Sequence, residues 1–282
     1  MRIVRILILI LFSVTAVFYG FHMAREKLAS DNVPPVITAD SDEVFVSVDV
    51  TDEELLAGMH AEDNRDGDVT DSMVVVSRLD FIQKGTLKVN YAAFDSSNNV
   101  ATYTRKVTYT DYISPRFSAY KPFRFADTED SSTALSSVKA NDVLDGDLTA
   151  DIRITYGDNE GIKYPVVLEV TNSAGDSAIV SVNVYLEDRS SLAVPSVALD
   201  QYIIYTGRGG WVDPQAHVIG TYQNTTVYPF SDSSRYSIDN VTWDDSGVDY
   251  NTPGEYIIKY TLWNDIGEEV NQTELYVIVE ED

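Results

Sequence analysis

The chain opens on an unbroken apolar run. From Ile6 to Ala24, 19 residues carry no formal charge, led by Ile6-Leu7-Ile8-Leu9-Ile10-Leu11-Phe12 and flanked by Arg2 and Arg5 before and Arg25 and Lys27 after. A helix of that length rises ~28 Å, close to the thickness of a bilayer core. It has no polar face, so an amphipathic core helix describes it poorly. Two readings stand. One is a retained transmembrane anchor over 6–24, with 1–5 as cytoplasmic tail and 25–30 as juxtamembrane linker. The other is a cleaved signal peptide, for which Val14-Thr15-Ala16 offers a small-residue site. Continuation of the run through Val17, Phe18, Tyr19 and Phe21 favours the anchor. Basic residues flank both ends, so only the terminal amine tips the orientation towards an inside amino terminus. Either reading exports the remainder of the chain.

Beyond residue 30 the pattern changes to period two. Leu87, Val89, Tyr91 and Ala93 alternate with polar residues, and Ala101-Thr102-Tyr103-Thr104-Arg105-Lys106-Val107 comes after them. Such runs, rich in Thr, Val and Tyr, predict half-buried antiparallel strands. Asp-Gly, Lys84-Gly85 and Pro253-Gly254 turns divide them into about seven strands per 80 to 95 residues. The expected fold is all-β, built from immunoglobulin-like β-sandwiches. Tyr91, Tyr164 and Tyr260 fall on the inward phase.

The pattern repeats. Val33-Pro34-Pro35-Val36-Ile37, Ile113-Ser114-Pro115-Arg116-Phe117 and Ala193-Val194-Pro195-Ser196-Val197 place prolines 80 and 80 residues apart. Asp66-Gly67-Asp68-Val69-Thr70 recurs 79 residues later as Asp145-Gly146-Asp147-Leu148-Thr149. A polar turn late in each unit reads Phe94-Asp95-Ser96-Ser97-Asn98, Thr171-Asn172-Ser173-Ala174-Gly175 and Trp263-Asn264-Asp265-Ile266-Gly267. These landmarks predict three tandem modules, 31–112, 113–188 and 189–282, after one N-terminal transmembrane helix.

Asp63-Asn64-Arg65-Asp66-Gly67-Asp68-Val69-Thr70, with Gly85-Thr86-Leu87 and Tyr91-Ala92-Ala93-Phe94-Asp95-Ser96-Ser97-Asn98-Asn99 after it, resembles the bacterial immunoglobulin-like domain named for a pesticidal crystal protein and found in tandem on surface proteins. The resemblance covers nearly all of residues 31–188. The third unit matches through Trp211-Val212-Asp213-Pro214 and Asn251-Thr252-Pro253-Gly254-Glu255-Tyr256, but reads Gly220-Thr221-Tyr222-Gln223-Asn224-Thr225 where Asp-Gly-Asp belongs. The resemblance implies a bacterial envelope protein of non-catalytic modules.

Composition narrows the chemistry. With 20 Lys+Arg against 45 Asp+Glu the net charge is −25, the opposite of a nucleic-acid binder. The absence of cysteine removes disulfides, thiol nucleophiles and Cys-ligated metals. His60 and His217 stand alone in the chain, and no nucleophile or phosphate-cradling motif is present, so no enzyme is expected. Gly207-Arg208-Gly209-Gly210 reads as a loop. Asp63, Asp66 and Asp68, copied as Asp142, Asp145 and Asp147, are candidate calcium ligands, although the spacing is not that of an EF-hand and turn capping explains the same residues. The third module holds all three tryptophans and nine of the eighteen tyrosines. Alternation along Tyr256 to Trp263 turns Ile257 and Trp263 outward, as a candidate contact for a surface protein or glycan.

Modules of roughly 35 Å in a row would span ~100 Å. The expectation is a single-pass cell-membrane protein with its domains outside the cytoplasm, a non-catalytic adhesion or spacer stalk with recognition in the third module. The rival is an accessory protein that binds carbohydrate or wall polymer.

Overall fold

The computed structural model describes residues 2–29, 31–127, 129–187, 193–231 and 234–281. Residue 30 of the expected juxtamembrane linker and residues 189–192 of the expected second linker lie outside the described residues. The chain divides into two compact units, 1–111 and 112–282.

The first unit begins with helix α1 (Arg2–Ala29), which contains the 21-residue apolar stretch Ile3–Met23 with no side chain buried, long and apolar enough to cross a membrane. Its one threonine, Thr15, turns its hydroxyl back to the Leu11 carbonyl at 2.9 Å, so that hydroxyl is paired within the helix.

A sandwich comes next. Strands β1 (Val36–Ala39), β3 (Met59–Asp63) and β4 (Gly67–Asp68) form one sheet in the order β1-β3-β4. Strands β2 (Glu43–Val46), β5 (Val74–Gln83), β6 (Thr86–Phe94) and β7 (Val100–Tyr109) form the other in the order β2-β7-β6-β5, with β2 parallel to β7. A one-turn helix, α2 (Asp52–Leu55), is closed by a capping box between Thr51 and Glu54. The expected alternation sets the core, because Leu87, Val89, Tyr91 and Ala93 all point inward and are buried. The Tyr91 hydroxyl donates to the Leu55 carbonyl at 3.2 Å. Arg105 of β7 is also buried, and its guanidinium donates to the carbonyls of Ser41 (2.9 Å) and Ala57 (3.0 Å). It thereby fastens the segment where the chain leaves β1 for β2.

The second unit contains the same pair of sheets twice. Strands β8 (Arg116–Ala119), β10 (Val138–Asp142) and β11 (Gly146–Asp147) face β9 (Arg124–Ala126), β12 (Arg153–Tyr156), β13 (Lys163–Thr171) and β14 (Ser177–Glu187), with β9 parallel to β14. Strands β15 (Ser196–Leu199), β17 (Val218–Gln223) and β18 (Thr226–Pro229) face β16 (Ile203–Gly207), β19 (Val241–Asp244), β20 (Gly254–Trp263) and β21 (Glu269–Glu280), with β16 parallel to β21. Register explains the cores: Val166 pairs with Val182 and Leu168 with Val180, all buried on one face. Tyr260 is buried like Tyr91, its hydroxyl donating to the Pro214 carbonyl at 2.9 Å. Tyr164 differs, being half-buried with its ring edge-on to Phe125 at 5.9 Å.

The second and third sandwiches also touch along their strands, which modules joined only end to end would not do. The Asn183 amide donates to the Tyr276 hydroxyl (2.7 Å), the Tyr185 hydroxyl to Glu274 (2.9 Å) and the Ser181 amide to Glu255 (3.0 Å). Phe123 meets Tyr276 edge-on at 5.6 Å, and Arg116 pairs with Glu280. Burial and the neighbouring Glu274 push the Tyr276 phenol far above its ordinary range, so it stays a neutral donor. Tyr276 lies on the outer face of its sheet, and a buried aromatic there needs a covering partner.

Replacing Tyr91 with Phe strands the Leu55 carbonyl and is expected to cost about 1–2 kcal/mol in denaturant unfolding, whereas Tyr164→Phe changes stability by less than about 0.5 kcal/mol. Tyr276→Ala, which removes a ring shared by two sandwiches, is expected to cost about 3 kcal/mol or more and to lower the unfolding midpoint of both.

Candidate functional site

The acidic loops are built from backbone amides. Asp63 ends β3, and its Oδ2 accepts from the Arg65 (2.7 Å) and Asp66 (3.0 Å) amides as the chain turns through Gly67, whose φ of 72° suits glycine. Asp66 reaches across to the β6–β7 turn, accepting from the Ser96 amide (2.7 Å) and hydroxyl (3.0 Å). Asp68 accepts from the Thr70 amide at 3.0 Å. The second sandwich repeats each bond: Asp142 with Leu144 and Asp145, Asp145 with the amide and hydroxyl of Ser173, and Asp147 with Thr149. The repeated Asp-Gly-Asp motif is thus a bracket between two turns. Amides of Asp66 and Arg65 hold the Asp63 carboxyl below the ordinary range, and the hydroxyl and amide of Thr70 and Thr149 do the same for Asp68 and Asp147.

The structure does not gather Asp63, Asp66 and Asp68 into one site. It brings Asp63 together with Asp31 and Asp95, which the linear motif omits. Carboxylate oxygens of the three lie within 4.8 Å of one another, and the residues are 8% (Asp31), 4% (Asp63) and 6% (Asp95) exposed. Asp95 accepts from the Ser97 (2.9 Å) and Asn99 (2.7 Å) amides and from the Asn99 side chain (2.6 Å), and the same Asn99 nitrogen reaches the Asp31 carbonyl (3.1 Å). Asp31 Oδ1 accepts from the Val33 amide at 3.0 Å. Asp31 Oδ2 and Asp63 Oδ1 are buried without a hydrogen bond, and Arg65 Nε lies 3.6 Å from the former. Among the described residues there is no second group of three metal-ligating side chains.

The equivalent place in the second sandwich has different chemistry. Asn172 stands where Asp95 does, and its amide donates to Asp142 Oδ2 (3.2 Å) and to the Tyr112 oxygen (2.8 Å), while Tyr112 donates to Asp176 (2.7 Å). In the third sandwich Gln223 ends the matching strand and donates to the Ala193 carbonyl.

The outward residues of β20 are not an open platform. Trp263 is half-buried, with the register slipping beside it and its Nε1 donating to the Thr242 hydroxyl at 2.8 Å. Ile257 is half-buried against the hydrophobic cluster, on the sheet face whose Glu255 and Tyr276 meet the second sandwich. Alternation fixes a side chain's face but not what covers that face. Among the three tryptophans the most open is Trp211, 66% exposed, in the loop after β16, with Trp243 at 36%. That loop's Arg208 bonds the Asn251 carbonyl at 2.8 Å, as a turn residue would. His60 and His217 each pair with a single aspartate, Asp40 at 3.4 Å and Asp200 at 2.9 Å.

A family model described as a bacterial surface protein, Ig-like domain, matches residues 41–109, which run from just before β2 to the end of β7. No curated protein matches the chain. Among solved structures it is similar to the CBM51-2 (in complex with GlcNAc) and INT domains of Clostridium perfringens ZmpB, at 19% identity and a TM-score of 0.22 over 49% of this chain and 30% of that one. It is also similar to the M60 catalytic domain with the CBM51-1 and CBM51-2 domains of ZmpB, at 12% identity and a TM-score of 0.23 over 89% and 31%. Extracellular cadherin domains 1–5 of protocadherin gamma B2 give 11% identity and a TM-score of 0.20 over 90% and 61%. The chain spans under a third of the length of both ZmpB structures, and at these TM-scores none of the three bears on its ligand.

Because the carboxyls of Asp63, Asp68 and Asp147 are lowered by folding, their contribution is complete above about pH 4 and is lost as pH falls through the lowered values. Thermal unfolding across that range is expected to show an acid limb that flattens in the Asp68→Asn, Asp147→Asn double variant.

Proposed function

We propose that this chain is a membrane-tethered protein of the bacterial cell surface whose sandwiches serve as non-catalytic spacer or adhesion modules outside the cytoplasm. The observation that carries the reading is the 21-residue apolar stretch Ile3–Met23 of α1, none of it buried, standing before a sandwich that matches a bacterial surface Ig-like model. Surface of that kind is strongly disfavoured in water and is at home in a bilayer. A retained anchor fits the helix better than a cleaved leader, since it continues apolar through Phe21. The non-catalytic reading is supported by what the titratable side chains do: the repeated acids hold turns, and each of His60 and His217 pairs with one aspartate. The net charge of −25 argues against a nucleic-acid partner.

One observation favours a second reading, a carbohydrate- or wall-polymer-binding accessory protein. Trp211 stands open in the third sandwich, two residues before Asp213, and an exposed indole next to a polar group suits stacking on a sugar ring.

Fractionation of cells with mass spectrometry of the amino terminus is expected to find residues 6–24 retained in the membrane fraction, with the sandwiches open to protease added outside. A mature protein beginning near Val17 in the secreted fraction overturns the anchor. Retention on purified wall polysaccharide is expected to fall about tenfold or more in Trp211→Ala under the second reading, and undiminished retention removes it.

A further inference from the structure

We propose that Asp31, Asp63 and Asp95 form a calcium site that ties the chain leaving helix α1 to the first sandwich. Three carboxylates, each more than nine-tenths buried, converge with their oxygens within 4.8 Å. Oxygens sharing one calcium at about 2.4 Å lie no more than about 5 Å apart, so the spacing admits a single ion bound to all three. A second feature points to the ion independently of the clustering. Asp63 Oδ1 is buried and accepts no hydrogen bond, while Oδ2 of the same side chain is held by two backbone amides; Asp31 Oδ2 is likewise without a hydrogen bond and has Arg65 Nε at 3.6 Å. A buried carboxylate oxygen without a donor is costly unless a cation meets it.

The second sandwich supplies the internal control. Its Asp142 lies on the same strand end, but the Asn172 amide and the Tyr112 phenol fill the place of Asp95 and Asp31 and make a closed chain of hydrogen bonds to Asp142 and Asp176. One fold therefore solves the same problem twice, with protein donors in one copy and three acids in the other. Arg65, half-exposed and 3.6 Å from Asp31, brings one positive charge to a cluster of three acids, which leaves room for a cation from solution. A set of carboxylate oxygens, with no nitrogen or sulfur ligand in it, suits calcium over a transition metal. Asp31 comes two residues after α1, so the ion would join that exit to the β3–β4 and β6–β7 turns at once.

The test uses the full chain in detergent, stripped with chelator and titrated with calcium chloride or magnesium chloride at matched ionic strength, by calorimetry and thermal unfolding. One calcium per chain and a raised midpoint are expected, with affinity weakened about tenfold or more in Asp31→Asn and in Asp63→Asn and kept in Asp66→Asn and Asp142→Asn. Asp63→Asn retains an acceptor for the Arg65 and Asp66 amides, and Asp31→Asn leaves the core untouched, so each reports binding separately from folding. Absence of heat and midpoint shift, unchanged affinity in Asp31→Asn, or magnesium binding as tight as calcium overturns the assignment. None of these outcomes depends on where the protein resides in the cell.

Discussion

A sandwich without a disulfide must close its two sheets by side-chain packing and by a few buried polar groups that find partners. Everything else in this chain depends on that closure. Tyr91 and Tyr260 bury their rings at the centre and carry their hydroxyls to the carbonyls of Leu55 and Pro214, which lie outside the sheets. Arg105 does the equivalent with a guanidinium, satisfied by two carbonyls. These groups make polar contacts only in the native arrangement, so they select one packing among the many that apolar surfaces allow.

The same economy appears at the loops. Asp66 and Asp145 each bind an amide and a hydroxyl of the opposite turn, joining segments about thirty residues apart. The motif that recurs in the sequence recurs because the turn geometry recurs. Its neighbourhood is free to diverge: where the first copy has Asp95 the second has Asn172, and with that exchange a cluster of acids gives way to a neutral hydrogen-bonded network.

Much of this was legible in the sequence. Period two along Leu87, Val89, Tyr91 and Ala93 named the buried face, and the alternating runs between polar turns named a chain of β-strands in several sheets. Two things were not legible, for the same reason. Asp31, Asp63 and Asp95 lie on three separate segments, so their meeting is a property of strand order and leaves no spacing signal. Ile257 sits on the outward phase, yet the outer face of its sheet meets another sandwich, and alternation carries no information about neighbours in space. Trp211, in a loop with no period at all, is 66% exposed, and phase could not nominate it.

In each sandwich the early strand that crosses into the second sheet runs parallel to the last long strand: β2 with β7, β9 with β14, β16 with β21. Pulling the entry of such a module one way and its exit the other slides these neighbours lengthwise, so their hydrogen bonds are loaded together in shear instead of being peeled one after another. The paired stretches differ in length, from Arg124–Ala126 against Tyr185–Glu187 to Ile203–Gly207 against Tyr276–Glu280. By that geometry the third sandwich has the longer clamp of the two, and a pull of that kind is shared among more neighbouring residues there than in the second.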